Sequence, residues 1–311
     1  MHILITGAAG FLGKRLADAL LADDRVSQLT LVDVRLLEHD DARATCLALD
    51  LTDADAVKTH VPAGLNAVYH LAAVVSAAAE ADFDLGMRVN VDGSKHLLEH
   101  LRHTSPGCRV VFTSSLAIYG GDLPDVITDS TAFTPRSSYG TQKAIAELLL
   151  NDYSRKGFID GITLRLPTVS VRPGTPNQAA SSFASDIIRE PLLGRPARCP
   201  VDASLELWLT SPSAAVRSLH HALTVDVSGL AYRSVNVSGI TINVQEMLTT
   251  LEHVAGSEAT SRVHFERVEH LETIITSWPS RFDTHTAEAL GFPESDSFET
   301  AVRTFMAENV P

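Results

Sequence analysis

The chain has 311 residues, 45% of them apolar and 20% charged, enough apolar material for a buried core and too much for a disordered polymer. A formal net charge of −13 opposes an electrostatic grip on nucleic acid or anionic lipid and points to a small-molecule partner, which a local basic pocket could still hold. Cys46, Cys108 and Cys199 are odd in number and widely spaced without a C-x-x-C pair, so neither a disulfide framework nor a zinc ribbon is expected; a reducing cytoplasm suits them.

The opening MHILITGAAGFLG has no basic leader and no long apolar h-region, so it reads as structure and not as an address. Residues 3–6 form a short apolar run ending at Gly7, and residues 11–21 then carry apolar side chains at helical spacing. Further β-like runs lie at 29–32, 46–49, 67–71, 109–113 and 162–166, with helical stretches between several of them. The longest apolar stretch, 67–79, contains His70 and Ser76 and falls short of the roughly 20 residues a spanning helix needs, so no membrane segment is expected. Such alternation predicts an α/β fold with a parallel sheet covered on both faces. Two long Leu-, Ala- and Glu-rich helices are expected over 82–103 and 137–156, while the alanine cluster at 77–81 reads as a loop or a helix start. After residue 166 the alternation breaks where Pro167, Pro173, Gly174 and Pro176 crowd together. The expected division is a nucleotide-binding domain over 1–166 and mainly a smaller substrate lobe over 167–311, some segments of which can return to the first.

Gly7, Gly10 and Gly13 stand between the first strand and the first helix, the setting of a dinucleotide-binding (Rossmann) turn. The first glycine permits the turn, the second admits a pyrophosphate, and the third lets helix and sheet pack closely, with helix-terminal N–H groups receiving the anion. Phe11 and Leu12 complete that surface. Asp33 ends the second strand about 20 residues on, where an acid accepts from the adenosine ribose hydroxyls and repels a 2′-phosphate. NAD is therefore expected over NADP, with Arg35 as the group that could turn toward a phosphate. Asp50, beside Leu51, is a candidate acceptor for the adenine amino group; a helix N-cap near Asp53 is the competing use of this segment. Leu71, Ala72 and Ala73, at the end of the fourth strand, are further cofactor-contact candidates.

Tyr139 and Lys143 are four apart and so share a helix face. A tyrosine near its ordinary pKa of about 10 is a poor base at neutral pH, and a neighbouring ammonium together with an oxidised nicotinamide favours the phenolate. TSSLAIYG places Thr113, Ser114 and Ser115 where the fifth strand ends on the ligand side of the sheet, with Ser115 able to hold a substrate oxygen. With GxxGxxG, the acid after the second strand, the serine-rich strand end and Tyr-x-x-x-Lys in this order, the chain resembles the extended short-chain dehydrogenase/reductase superfamily. The resemblance implies that Ser115, Tyr139 and Lys143 act together as the catalytic set, with Tyr139 and Lys143 also touching the cofactor. Asn90 in RVNVDGS falls where that superfamily kinks a helix and supports a proton relay; an asparagine simply tolerated in a helix is the other reading.

Longer strings, LPDVITDSTAFTPRSSYGTQKAIAELLLNDYSRKGFIDG, LRLPTVSVRPGTPNQAASSFASDIIREPL and WLTSPSAAVRSLHHAL, resemble a bacterial sugar-acid dehydrogenase branch of the superfamily. That resemblance implies oxidation of the C2 hydroxyl of D-erythronate, or a closely related sugar acid, to the 2-oxo acid with NAD accepting the hydride. A buried carboxylate needs a cation, and Arg172 and Arg217 lie in these stretches; Arg217 could instead pair with an acid on a helix surface. Ser76, Ser115, Tyr139, Thr168, Ser181 and Ser182 are the other substrate-contact candidates. His96, His100 and His103, and the pair His220 and His221, lack a completing ligand set, so no metal is expected. The rival readings are a nucleotide-sugar epimerase or dehydratase with the same Ser, Tyr and Lys machinery, and a noncatalytic NAD-sensing module. As in similar enzymes, the two long helices could pair across a twofold axis in a homodimer.

Overall fold

Short apolar runs that alternate with amphipathic helices can bury both faces of a strand only inside a helix-covered parallel sheet. The computed structural model, which describes residues 1–174 and 180–310, has this arrangement; Pro176 lies outside the described residues. Its strands are β1 (His2–Thr6), β2 (Gln28–Asp33), β3 (Ala44–Ala48), β4 (Ala67–His70), β5 (Arg109–Ser115), β6 (Asp160–Leu166), β7 (Thr168–Val169), β8 (Ala197–Cys199), β9 (Glu206–Thr210), β10 (Ser234–Asn236), β11 (Ile240–Asn243) and β12 (Val263–Phe265). Seven of them form an all-parallel sheet in the order β10-β6-β5-β4-β1-β2-β3. The chain runs outward from β1 through β2 to β3, then crosses back to β4 on the other side of β1. The strand order therefore reverses between β1 and β4, and the crevice at their carboxyl ends is where such a sheet takes a ligand.

All six sequence-predicted strands of this sheet are present, and the fold is the expected doubly wound α/β architecture. The first predicted helix is α1 (Phe11–Leu21) with the expected bounds. The chain continues through α2 (Ala54–His60) and α3 (Ser76–Ala81), so the alanine cluster is helical. The helix expected over 82–103 is not one regular helix: α4 (Phe83–Gly86) passes into a π-helical turn at Met87–Asp92 and then into α5 (Gly93–Thr104). The π-turn spends an extra residue, which hydrophobic spacing does not report. It leaves Asn90 buried and bonded away from its own helix, to Val74 and Gln142. The helix expected over 137–156 is α6 (Ser138–Arg155), with the Ser137 hydroxyl accepting from the Gly140 N–H as its N-cap.

Beyond β6, β9 pairs with β7 and β11 in a second sheet, and β8 pairs with β12 in a third. These pack with α7 (Phe183–Leu192) and the helix Val244–Ala255 around a separate core that includes Val171, Ile187, Ile188, Leu209, Met247 and Val302. Two later segments return to the first sheet. α8 (Pro212–His221) packs against α1, and β10 extends the sheet beside β6 with Val235 fully buried. No helix is long and apolar enough to cross a membrane among the described residues.

Candidate active site

The crevice begins at Gly7, whose φ of 73° suits glycine; a Cβ there would lie 2.7 Å from the Ala72 nitrogen. A Cβ on Gly13 would lie 2.4 Å from the Gly7 carbonyl oxygen, so the first turn of α1 is pressed onto the loop beneath it. The amino end of α1 carries no side-chain cap and no acidic residue in its first turn, and Phe11 and Leu12 occupy that turn. These are the conditions in which a helix terminus receives an anion. Asp33 faces the same loop: its carboxylate accepts from Ala9 N at 3.0 Å and from Arg35 N at 3.1 Å. Arg35 lies with its Nε 3.6 Å from Asp33 and donates to the Ala9 carbonyl, so its charge rests on the acid.

Asp50 is exposed and accepts from Thr52 N at 2.9 Å, whereas the N-cap of α2 is Asp53, accepting from Ala56 N at 2.9 Å. The N-cap use of this segment therefore falls to Asp53 and not to Asp50. Leu51 is buried, and its carbonyl receives His96 Nδ1. Leu71, Ala72 and Ala73 are half-buried at the end of β4 and touch the Gly7 turn through Ala72. Glycine cradle, open helix terminus and strand-end carboxylate together fit a dinucleotide.

A hydrogen-bonded chain runs from this crevice to α6, the helix of Tyr139 and Lys143. Ser94 Oγ donates to the Asn90 carbonyl at 2.7 Å, so at 2.9 Å it must accept from His70 Nε2–H. Burial pushes the His70 pKa down to about 3 and keeps the ring neutral, so Nδ1 accepts from Thr6 Oγ1 at 2.7 Å. Thr6 Oγ1 in turn accepts from Ala72 N. The Asn90 side chain clamps both main-chain groups of Val74, at 2.8 and 3.0 Å, and donates to Gln142 Oε1 on α6 at 2.8 Å. His70, Ser94 and Gln142 were not singled out from the sequence; Gln142, between Tyr139 and Lys143 in YGTQK, was the one with a local signal.

Ser115 ends β5, where its hydroxyl accepts from Ala117 N, and it stands beside Tyr139. Lys143 is only 3% exposed; its ammonium donates to the Thr113 carbonyl at 2.9 Å and lies 4.7 Å from the Phe112 ring and 5.8 Å from the Tyr139 ring. Here the protein alone differs from the sequence expectation of a lowered phenol. Burial pushes Tyr139 up to about 12, against downward pulls from the Ser115 hydroxyl and the Arg172 charge. Burial also pushes Lys143 down to about 7. Loss of water from both groups outweighs the charges the chain itself supplies.

Of the two arginines singled out, Arg172 is half-buried, and burial lowers its pKa against the opposing charge of Asp186; it and Tyr139 feel each other's charge, and among the described residues nothing accepts a hydrogen bond from its guanidinium. Arg217 is not free for a substrate: it sits half-exposed on α8, bonded to Asp296 at 2.9 Å and to the Glu294 carbonyl. The helix-surface ion pair is therefore its place in the structure. Ser76 is buried and accepts from Ala180 N at 2.9 Å, tying α3 to the segment that carries Ser181 and Ser182. The Ser182 hydroxyl lies 3.2 Å from both carboxylate oxygens of Asp186; Thr168, in β7, and Ser181, next to Ser182 in the chain, are half-buried. Four of the five histidines set aside for metal binding have separate partners: the Leu51 carbonyl for His96, Glu99 for His103, Asp23 for His220 and the Leu290 carbonyl for His221.

Over 319 aligned residues the chain is 49% identical to D-erythronate dehydrogenase of Cupriavidus necator, covering 99% of this chain and 98% of that protein. It is 46% identical to D-erythronate dehydrogenase of Haemophilus influenzae, covering 98% and 99%. Among solved structures, that of a nucleoside-diphosphate-sugar epimerase from Agrobacterium tumefaciens superposes with a TM-score of 0.93 at 40% identity, covering 100% of this chain and 94% of that one. Residues 3–223, from the first strand of the sheet to the end of the helix that packs back on α1, match one sequence family, and with the crevice, the strand-end acid and the Ser, Tyr and Lys set they make this chain a member of the NAD dependent epimerase/dehydratase family.

Proposed function

We propose that the enzyme oxidises the C2 hydroxyl of D-erythronate, or a closely related sugar acid, to the 2-oxo acid with NAD as hydride acceptor. The observation that carries this reading is the half-buried Arg172 guanidinium, a cation without a hydrogen-bonded acceptor among the described residues, whose charge reaches the phenol of a Ser115, Tyr139 and Lys143 set. It supplies what a carboxylate next to a reacting hydroxyl needs. The two full-length relatives named D-erythronate dehydrogenase support the same substrate.

Gly7, Gly10, Phe11, Leu12 and Gly13 would cradle the pyrophosphate, Asp33 the adenosine ribose, and Asp50, Leu51 and Leu71–Ala73 the adenine side of the crevice. NAD, when bound, supplies the hydride-accepting ring and a positive charge. Ser115 steadies the substrate oxygen, Tyr139 takes its proton, and Lys143 stabilises the phenolate and reaches the nicotinamide ribose. Asn90 holds the turn behind Tyr139 and Lys143 through Gln142. Thr168, Ser181 and Ser182 would line the approach from the substrate lobe, which we assign mainly to residues 167–311, and Ser76 would meet them from the NAD-binding domain built on 1–166, which β10 and α8 also serve.

Tyr139→Phe is expected to lower kcat about 10³-fold by removing the proton acceptor, with the KM for NAD little changed. NADH formation measured with D-erythronate, L-threonate, D-threonate and a UDP-sugar checks the reading. Sugar-acid oxidation that the substitution abolishes supports it. Epimerisation of the UDP-sugar without net NADH would replace it with the epimerase reading that the Agrobacterium structure's name favours. An intact catalytic set weighs against a noncatalytic NAD sensor, which has no use for it.

We place the enzyme in the cytoplasm as a homodimer. Phe83 on α4 and Leu148 on α6 are 57% and 52% exposed, large apolar side chains on the two helices that similar enzymes pair across a twofold axis. Phe83→Glu with Leu148→Glu is expected to halve the mass seen by sedimentation; an unchanged mass would remove this surface from the interface.

A further inference from the structure

The hydrogen bonds that reach Arg172 come from one helix. Its N–H donates to Ser185 Oγ at 3.1 Å, and its carbonyl accepts from Arg189 Nη1 at 3.0 Å. Ser185 and Arg189 are one turn apart on α7, both almost wholly buried. Two residues before Arg172, Ser170 Oγ donates to the Ala184 carbonyl at 2.8 Å, so the same helix also fixes the incoming chain. The main chain of Arg172 is thus held at both of its polar groups, while its guanidinium is left without an acceptor among the described residues.

Arg189 is itself held rigidly. Its Nη2 lies 2.5 Å from Asp186 Oδ1 and its Nε 2.7 Å from Glu190 Oε1, so a guanidinium 2% exposed has its charge balanced on both sides. Arg195 approaches the other oxygen of Glu190 at 3.4 Å. Arg172 feels the charge of Asp186, which Arg189 already engages, so its guanidinium shares that acid at a distance and has no hydrogen-bonded partner of its own among the described residues.

We infer that α7 is the specificity element for the acid group: Ser185 and Arg189 are positioning residues that present the Arg172 guanidinium to the substrate carboxylate. This rests on the sugar-acid reading above. A buried ion pair adds little net stability over apolar packing, so a network of this kind serves geometry more readily than strength. Its effect should lie in the binding of the anionic substrate and not in the proton transfer, because neither residue reaches Tyr139 except through Arg172.

Steady-state kinetics of the wild type, Arg172→Met, Arg189→Lys, Arg189→Met and Ser185→Ala, each with D-erythronate and NAD varied separately, test this. Misplacing a recognition group by about 1 Å can cost about 100-fold, so Arg189→Met should raise the KM for D-erythronate by about that factor and approach Arg172→Met. The KM for NAD and kcat should hold within about threefold, with Arg189→Lys recovering part of the loss because its single ammonium keeps the charge but cannot span all three acceptors. Ser185→Ala, which removes one hydrogen bond and leaves the charges in place, should raise the same KM about fivefold and remains informative if Arg189→Met fails to fold. A wild type that does not oxidise D-erythronate would sink the sugar-acid reading itself. An active wild type in which Arg172→Met raises the KM while Ser185→Ala and Arg189→Lys leave it within twofold would overturn the role of α7 alone. Equal losses in kcat and in both KM values would also overturn it, since they mark a general structural role.

Discussion

Lys143→Met is expected to lower kcat about 10³-fold while making the protein more stable at neutral pH. The lysine is buried with one carbonyl partner, and burial lowers its pKa from the ordinary 10.5 to about 7. Because the folded value lies below the unfolded one, the unfolded chain binds a proton between pH 7 and 10.5 that the folded chain does not. Stability therefore rises with pH across that window, by about 1.4 kcal/mol per pH unit, and the full penalty of about 5 kcal/mol applies below pH 7. Methionine fills similar space without charge, and replacing a buried ion by apolar side chains gains about 1–4 kcal/mol in comparable cases. Thermal melts of wild type and variant at pH 6.5 and pH 10 check this: the variant should melt higher at pH 6.5 and the gap should narrow at pH 10. A variant less stable at both pH values would show that the lysine is not a burden to the fold.

The same pair sets the pH dependence of activity. Between the low step of Lys143, near 7, and the high step of Tyr139, near 12, the two groups together hold one proton fewer than when fully protonated. They can then take the substrate proton as a unit, whichever of them is formally neutral. The oxidation rate should therefore rise as the pH passes upward through about 7. In Lys143→Met the rise should move to much higher pH, because the phenol then titrates without a partner. A profile unchanged by the substitution would separate Lys143 from the proton transfer.

Glu147→Gln should give the largest loss of stability. Glu147 follows Lys143 by one turn of α6 and Tyr139 by two, and its side chain is 0% exposed against 1% for its partner Arg165 on β6. The carboxylate receives Arg165 Nη2 at 2.7 Å and Nε at 3.0 Å. Arg165 also donates to Tyr119 Oη and the Asp129 carbonyl, and lies 5.0 Å from the Phe133 ring. Removing the acid leaves the buried guanidinium with only the more distant Asp129 carboxylate, 4.0 Å away, and breaking a buried pair costs about 3–5 kcal/mol in comparable sites. Urea unfolding of Glu147→Gln, Arg165→Met and the double variant measures it. The double variant should recover much of the loss, because no unpaired charge remains. Single variants that each lose less than about 1 kcal/mol would mean that water or rearrangement already relieves the site. The pair matters for the active site because it fastens the helix bearing Tyr139 and Lys143 to the strand beside Ser115, fixing the register of α6 against the sheet.

What the sequence determined by itself lies within single elements or at their ends. Hydrophobic spacing located the six leading strands and α1, because burial of both sheet faces and of one helix stripe is written in local periodicity. Gly7 and Gly13 were legible because a left-handed turn and a close helix contact each demand glycine at one position, and Tyr139 with Lys143 because residues four apart on a helix must share a face. The tertiary structure decided what depends on chain segments far apart. Arg172 and Arg217 were both carboxylate candidates in sequence, with a surface ion pair open for Arg217, yet only the fold shows that α7 holds the main chain of one while Asp296, 79 residues along the chain from Arg217, engages the other. The π-turn at Asn90, the return of β10 to the first sheet and the His70 to Ser94 link are likewise products of packing. Their cause is the need to satisfy buried polar groups and close a sheet edge with whatever the fold brings alongside, and no spacing rule within one segment carries that information.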